Sequence, residues 1–153
     1  MKSVIIHKMR WTLGFVFTPD FSRVLLIHKE HPEHQKGKWN GLGGKYEEGE
    51  TAKECIAREV REESDLVIQP DEWRSLGTVR GEEWEMQILT VVYSGDLSDA
   101  KTTTDERVEW FPLEAIPKTK RNLLWLIPLC IDALQYDQIE SIDICYTPKR
   151  RWK

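Results

Sequence analysis

Apolar and polar positions alternate with a period of two over most of the chain and switch twice to a helical period. The first strand region spans residues 4–18, with Trp11-Thr-Leu-Gly-Phe-Val-Phe-Thr18 as its best part. Pro19-Asp20-Phe21-Ser22 marks a turn, and residues 23–29 form a second strand close enough to pair with the first as a hairpin. Residues 66–69, 73–81, 85–93, 106–111 and 142–146 read as further strands, rich in β-branched and aromatic side chains. The helical stretches are residues 51–64 and 122–134; Pro128 lies inside the second and predicts a kink. Helices alternating with strands suggest an α/β fold, a three-layer sandwich about a central sheet.

In the first helix Thr51 precedes Glu54 by the spacing of a capping box. Ala52, Cys55, Ile56 and Val60 make its inward stripe. At about 100° per residue, Glu59 and Glu63 fall inside that apolar sector and Glu62 on its edge. Like charges at these spacings repel, and an unpaired buried carboxylate is costly. Arg58 can pair with Glu62, but one guanidinium cannot neutralise three acids. A solvated face laced with Glu–Arg pairs is one reading of such a run. A divalent ion is the other, and an all-oxygen ligand set favours hard Mg²⁺ or Mn²⁺ over zinc.

The 153 residues carry a net charge of −4, with 40% hydrophobic and 31% charged side chains. A single soluble domain over residues 1–153 is expected, and the net charge excludes a general electrostatic trap for nucleic acid. Cys55, Cys130 and Cys145 show no Cys-x-x-Cys spacing, so neither a zinc site nor a disulfide framework is suggested. With no long apolar run and no signal-peptide pattern, a cytoplasmic location is expected and no membrane association. The basic ending, residues 149–153, reads as a solvated tail or as a contact for an RNA 5′ end. His28, His31 and His34 stand in a polar loop around Pro32, with Lys36 and Lys38 as candidates for a phosphate-steering rim.

Gly44, Glu50, the run Arg58-Glu59-Val60-Arg61-Glu62-Glu63 and Leu66, at their mutual spacings, resemble the signature of the Nudix hydrolases. Asp65 stands where that family usually has Gly, at a helix end that calls for a left-handed backbone. The later run Val108 to Pro117, aromatic pair then Pro-Leu and Ile-Pro, also resembles Nudix proteins. The resemblance implies an α/β/α sandwich with a mixed central sheet and hydrolysis of a nucleoside diphosphate linked to another group. It also implies Mg²⁺, with Mn²⁺ able to substitute, held by Glu59, Glu62, Glu63 and the Gly43 carbonyl. Arg58 would orient these acids, Glu50 would close the loop onto the helix, and Lys45 would sit near the phosphates. One of the three acids, or Glu83 or Glu85, would relay the proton from water. Residues 37–45 resemble the oxidised purine nucleoside triphosphatases, the MutT-like branch. There the matching Asn reads the base, so Asn40 is a candidate base reader or a turn Asn before Gly. Asn122 is a base reader or a helix cap. Trp39, Trp84 and Trp125 are stacking or core residues. A (d)NTP pyrophosphohydrolase releasing NMP and pyrophosphate is expected, as monomer or homodimer. The alternatives are a silent nucleotide-sensing module and an RNA 5′-end pyrophosphohydrolase.

Overall fold

The computed structural model describes residues 8–147. The start of the first strand region and the basic ending at residues 149–153 lie outside them. One mixed sheet holds seven strands: β1 (Met9–Phe17), β2 (Arg23–His28), β3 (Trp39–Asn40), β4 (Arg74–Arg80), β5 (Trp84–Val92), β6 (Val108–Pro112) and β7 (Ile142–Cys145). Its order is β3-β2-β1-β5-β4-β7, with β6 on β2. The pairs β1–β5 and β4–β7 are parallel and the others antiparallel. The expected hairpin forms, Val16 opposite Leu25 and Phe17 opposite Val24.

Alternation along β1 divides the core in two, because successive side chains point to opposite faces. Leu13, Phe15 and Phe17 face α2 (Leu123–Gln135), meeting Leu123, Leu126 and Cys130. Val16, with Leu25 and Ile27 of β2, faces α1 (Ala52–Ser64), meeting Ile56 and Val60. Helix, sheet and helix make the sandwich. Helix α2 runs unbroken through Pro128. Proline leaves the Leu124 carbonyl without its helical donor, and Leu124 stands on the exposed face, where water can supply one. Arg74 donates to the carbonyls of Ala133 and Ile139, tying the end of α2 to β4.

Residues 66–69 are not a strand. Leu66 and Ile68 are buried beneath α1 and Val67 is exposed, so the alternation is real. It reflects an extended crossing between helix and sheet, with no ladder partner. β3 has only two residues, too short for a periodicity to show in the sequence.

Candidate active site

Helix α1 begins as its capping residues dictate: Thr51 Oγ1 accepts from the Glu54 amide at 3.2 Å. It ends at Asp65, whose φ of 66° is left-handed and whose amide donates to the Arg61 carbonyl at 2.9 Å. The expected stripe is buried at Cys55, Ile56 and Val60, and Glu63 is buried with it. Glu59 is half-buried and Glu62 exposed.

The glycine turn lies against the helix because its backbone pairs with β1. Gly14 and Leu42 exchange hydrogen bonds, and Thr12 donates to the Gly44 carbonyl at 2.8 Å. A Cβ on Gly43, at φ 148°, would fall 2.1 Å from the Thr12 carbonyl oxygen; one on Gly44 would fall 2.5 Å from the Glu59 carboxyl. Only glycine permits both approaches. The Gly43 amide donates to Glu63 Oε1 at 2.9 Å. The Lys45 side chain is exposed, and its carbonyl accepts from Arg58.

Arg58 is the hub. Its Nε and Nη2 bond the two oxygens of Glu50 at 2.5 and 3.0 Å, a two-pronged contact that closes the turn onto the helix. Its Nη1 reaches Glu59 at 2.9 Å and Glu62 at 3.3 Å. Glu50 is held down at a pKa of about 2, above all by its bond to Arg58. Burial pushes Glu63 up to about 8, against the Gly43 amide, and raises Glu59 against the pull of Arg58. A buried carboxylate with one neutral donor and a raised pKa is short of positive charge. Among the described residues no three His, Cys, Asp or Glu side chains already converge as a ligand set. Glu59 and Glu62 instead turn to Arg58. The carboxylates offer oxygens, which fits a hard divalent cation.

Glu83 and Glu85 are not brought into this group. Glu83 is exposed at the β4–β5 turn, where its carbonyl accepts from the Met9 amide. Glu85 pairs with Arg10 at 3.0 Å, and that guanidinium lies over the Tyr46 ring. The fixed register of β1 on β5 sets Glu85 opposite Arg10, which the sequence pattern alone does not reveal. Two other residues stand nearer. Glu106, buried two residues before β6, accepts from Lys29 Nζ at 2.8 Å and from the Glu30 amide at 2.7 Å. Both Lys29 and Glu106 lie close enough to act electrostatically on Glu63. Neither carries a local sequence signal.

Beyond Gly43 and Gly44 the site opens into a cavity of about 620 Å³. Its sheet floor is apolar, with Trp11, Leu13, Trp84 and Met86; its polar wall includes Asn40, Lys120 and Asn122. Asn40 Oδ1 accepts from the Gly41 amide and its Nδ2 donates to Gln35, so it is a turn residue that also lines the cavity. Asn122 makes no capping bond to α2; its Oδ1 is buried and has no partner among the described residues. Trp39 is core, against Phe111, and Trp125 packs on the core too.

The family model for the NUDIX domain matches residues 8–127. The chain belongs to the Nudix family. This Nudix hydrolase is 32% identical over 132 residues to the oxidized purine nucleoside triphosphate hydrolase of Danio rerio, covering 82% of this chain and 81% of that one. It is 36% identical over 111 residues to the protein of the same name in Mus musculus, covering 70% and 68%. Among solved structures, a NUDIX hydrolase from Nitrosomonas europaea superposes with a TM-score of 0.73 at 18% identity, covering 93% of this chain and 80% of that one. The MutT NUDIX hydrolase from Burkholderia pseudomallei gives 0.66 at 19% identity, covering 80% and 98%. Nudix hydrolases in general act with divalent metals. No helix among the described residues is long and apolar enough to cross a membrane.

Proposed function

We propose that the chain hydrolyses nucleoside triphosphates, oxidised purine nucleotides among them, to NMP and pyrophosphate, with Mg²⁺ as the working ion and Mn²⁺ able to replace it. The observation that carries this reading is the continuity of two unlike spaces across Gly43 and Gly44: a cavity wide enough for a nucleoside on one side, cation-seeking carboxylates on the other. The activity for which the Danio and Mus relatives are named supports it.

In this reading Glu59, Glu62 and Glu63 hold the ion, with the Gly43 carbonyl beside them. The ion would screen the polyanionic phosphates and lower the pKa of bound water. Arg58 keeps Glu59 and Glu62 aimed at one place by charge-assisted hydrogen bonds. One of the three acids takes the proton of the attacking water. Lys29, at the boundary between acids and cavity, offers a positive charge to the phosphates, as does the exposed Lys45. Asn40 and Asn122 face the base. Positioning and charge stabilisation carry the rate.

Product analysis with Mg²⁺ against (d)NTPs, 8-oxo-dGTP, ADP-ribose, dinucleoside polyphosphates and 5′-triphosphate RNA tests the assignment. NMP and pyrophosphate from a nucleoside triphosphate are expected. Turnover confined to ADP-ribose or RNA would overturn the substrate, and full activity in both Glu62→Gln and Glu63→Gln would overturn the site.

A further inference from the structure

Part of the cavity wall is cationic. Lys120 is fixed there through its backbone: its amide donates to the Trp39 carbonyl at 3.2 Å, the Trp39 amide donates to Lys118 at 3.0 Å, and Thr119 bridges Trp39 in parallel. The residue is thus an extension of the sheet edge. Its side chain is half-buried in the cavity wall. Among the described residues the charges that reach it are Lys38 and Lys29, both cations, which together with burial lower its pKa. Lys29 has its own acceptor in Glu106; among the described residues no acceptor reaches the Lys120 ammonium. Two residues on, Asn122 lines the same cavity, its Oδ1 enclosed by protein and without a donor among the described residues.

An ammonium without an acceptor among the described residues, in the wall of a cavity with an apolar floor, is complementary to a purine edge that offers two adjacent acceptors. Guanine and hypoxanthine present O6 beside N7; adenine presents an amino donor beside N7. We propose that Lys120 is the specificity-determining residue of the cavity, donating to the base carbonyl so that lactam purines are taken in preference to adenine-type purines. This rests on the nucleotide-hydrolysing reading given above. With an adenine base in the same pose the ammonium meets an amino donor in place of O6, and a site built to hydrogen-bond discriminates strongly against a ligand that leaves its polar group unmet.

Steady-state hydrolysis of dITP and dATP by the full chain with Mg²⁺ tests the proposal. The wild type is expected to favour dITP in kcat/KM by about tenfold or more. Lys120→Met should bring the two within about threefold, through a higher KM for dITP at nearly unchanged kcat, and Lys120→Arg should keep the preference. Circular dichroism checks that both variants fold. Equal wild-type values, or a preference intact in Lys120→Met, would overturn it. Calorimetric binding of dIMP and dAMP to the same proteins needs no turnover and should show the same order. Lys120-dependent selection of dIMP by a chain that hydrolyses no triphosphate would sink the reaction and leave the base reader standing. Hydrolysis without base preference would do the reverse.

Discussion

Arg58 shows how much one side chain can organise. Its planar fork bonds both oxygens of Glu50, reaches Glu59 and Glu62, and takes the Lys45 carbonyl as well. A lysine keeps the charge but not the fork. Arg58→Lys should therefore lower kcat/KM roughly a hundredfold at saturating Mg²⁺ and cost about 2 kcal/mol in urea unfolding. Gly44 sets a second constraint. A Cβ there lands on the Glu59 carboxyl, the mobile end of a side chain, so Glu59 swings away and the fold survives. Gly44→Ala should weaken Mn²⁺ binding roughly tenfold or more, read by calorimetry, with a small shift in Tm. Glu59 and Glu63 were legible because helical phase alone puts them on the apolar side; Gly44 and the orienting role of Arg58 were expected from the resemblance to the Nudix signature. Lys29 and Glu106 were not: they are 77 positions apart, and each looks like an ordinary charge at a strand end until β2 and β6 pair.

Among the elements, α1 is readable because its cap, stripe and odd acids all lie within one short window. Its far end depends on a distant loop. The Lys101 amide donates to the Ser64 carbonyl at 2.8 Å and Thr103 Oγ1 to the Glu62 carbonyl at 2.5 Å, so the β5–β6 loop satisfies carbonyls that the helix cannot. Asp65 then supplies the left-handed residue at modest cost. Asp65→Gly should relieve that cost and stabilise the protein by about 0.5 kcal/mol, seen as a small rise in Tm with activity unchanged. Residues 66–69 show the limit of periodicity: a period of two reports which side chains are buried, not whether a neighbouring strand exists. The cavity was beyond reach for a related reason. Its walls come from β1, β5, the loop after β2 and the approach to α2, and only the sheet order brings them together.

For the molecule as a whole, the buried acid of the candidate site weighs against the fold. Burial lifts the Glu63 carboxyl from an ordinary 4.5 to about 8, so the folded metal-free protein holds a proton that the unfolded chain has released. The sign follows from linkage: where the folded state binds more protons, stability falls as pH rises. The contribution is fully present below the ordinary carboxyl pKa and is lost as pH climbs towards the folded value. A divalent cation held beside Glu63, as proposed, would replace the proton and remove the loss. Metal-free protein should therefore melt several degrees lower at about pH 8 than at about pH 5, beyond any change in Glu63→Gln. Added Mg²⁺ should raise Tm strongly at the higher pH and little at the lower, because protons compete for the same oxygens. Scanning calorimetry of wild type and Glu63→Gln, with EDTA or Mg²⁺ at both pH values, measures this directly. A Tm for the metal-free wild type that follows Glu63→Gln across the range would mean that Glu63 is not the buried acid whose charge the ion compensates.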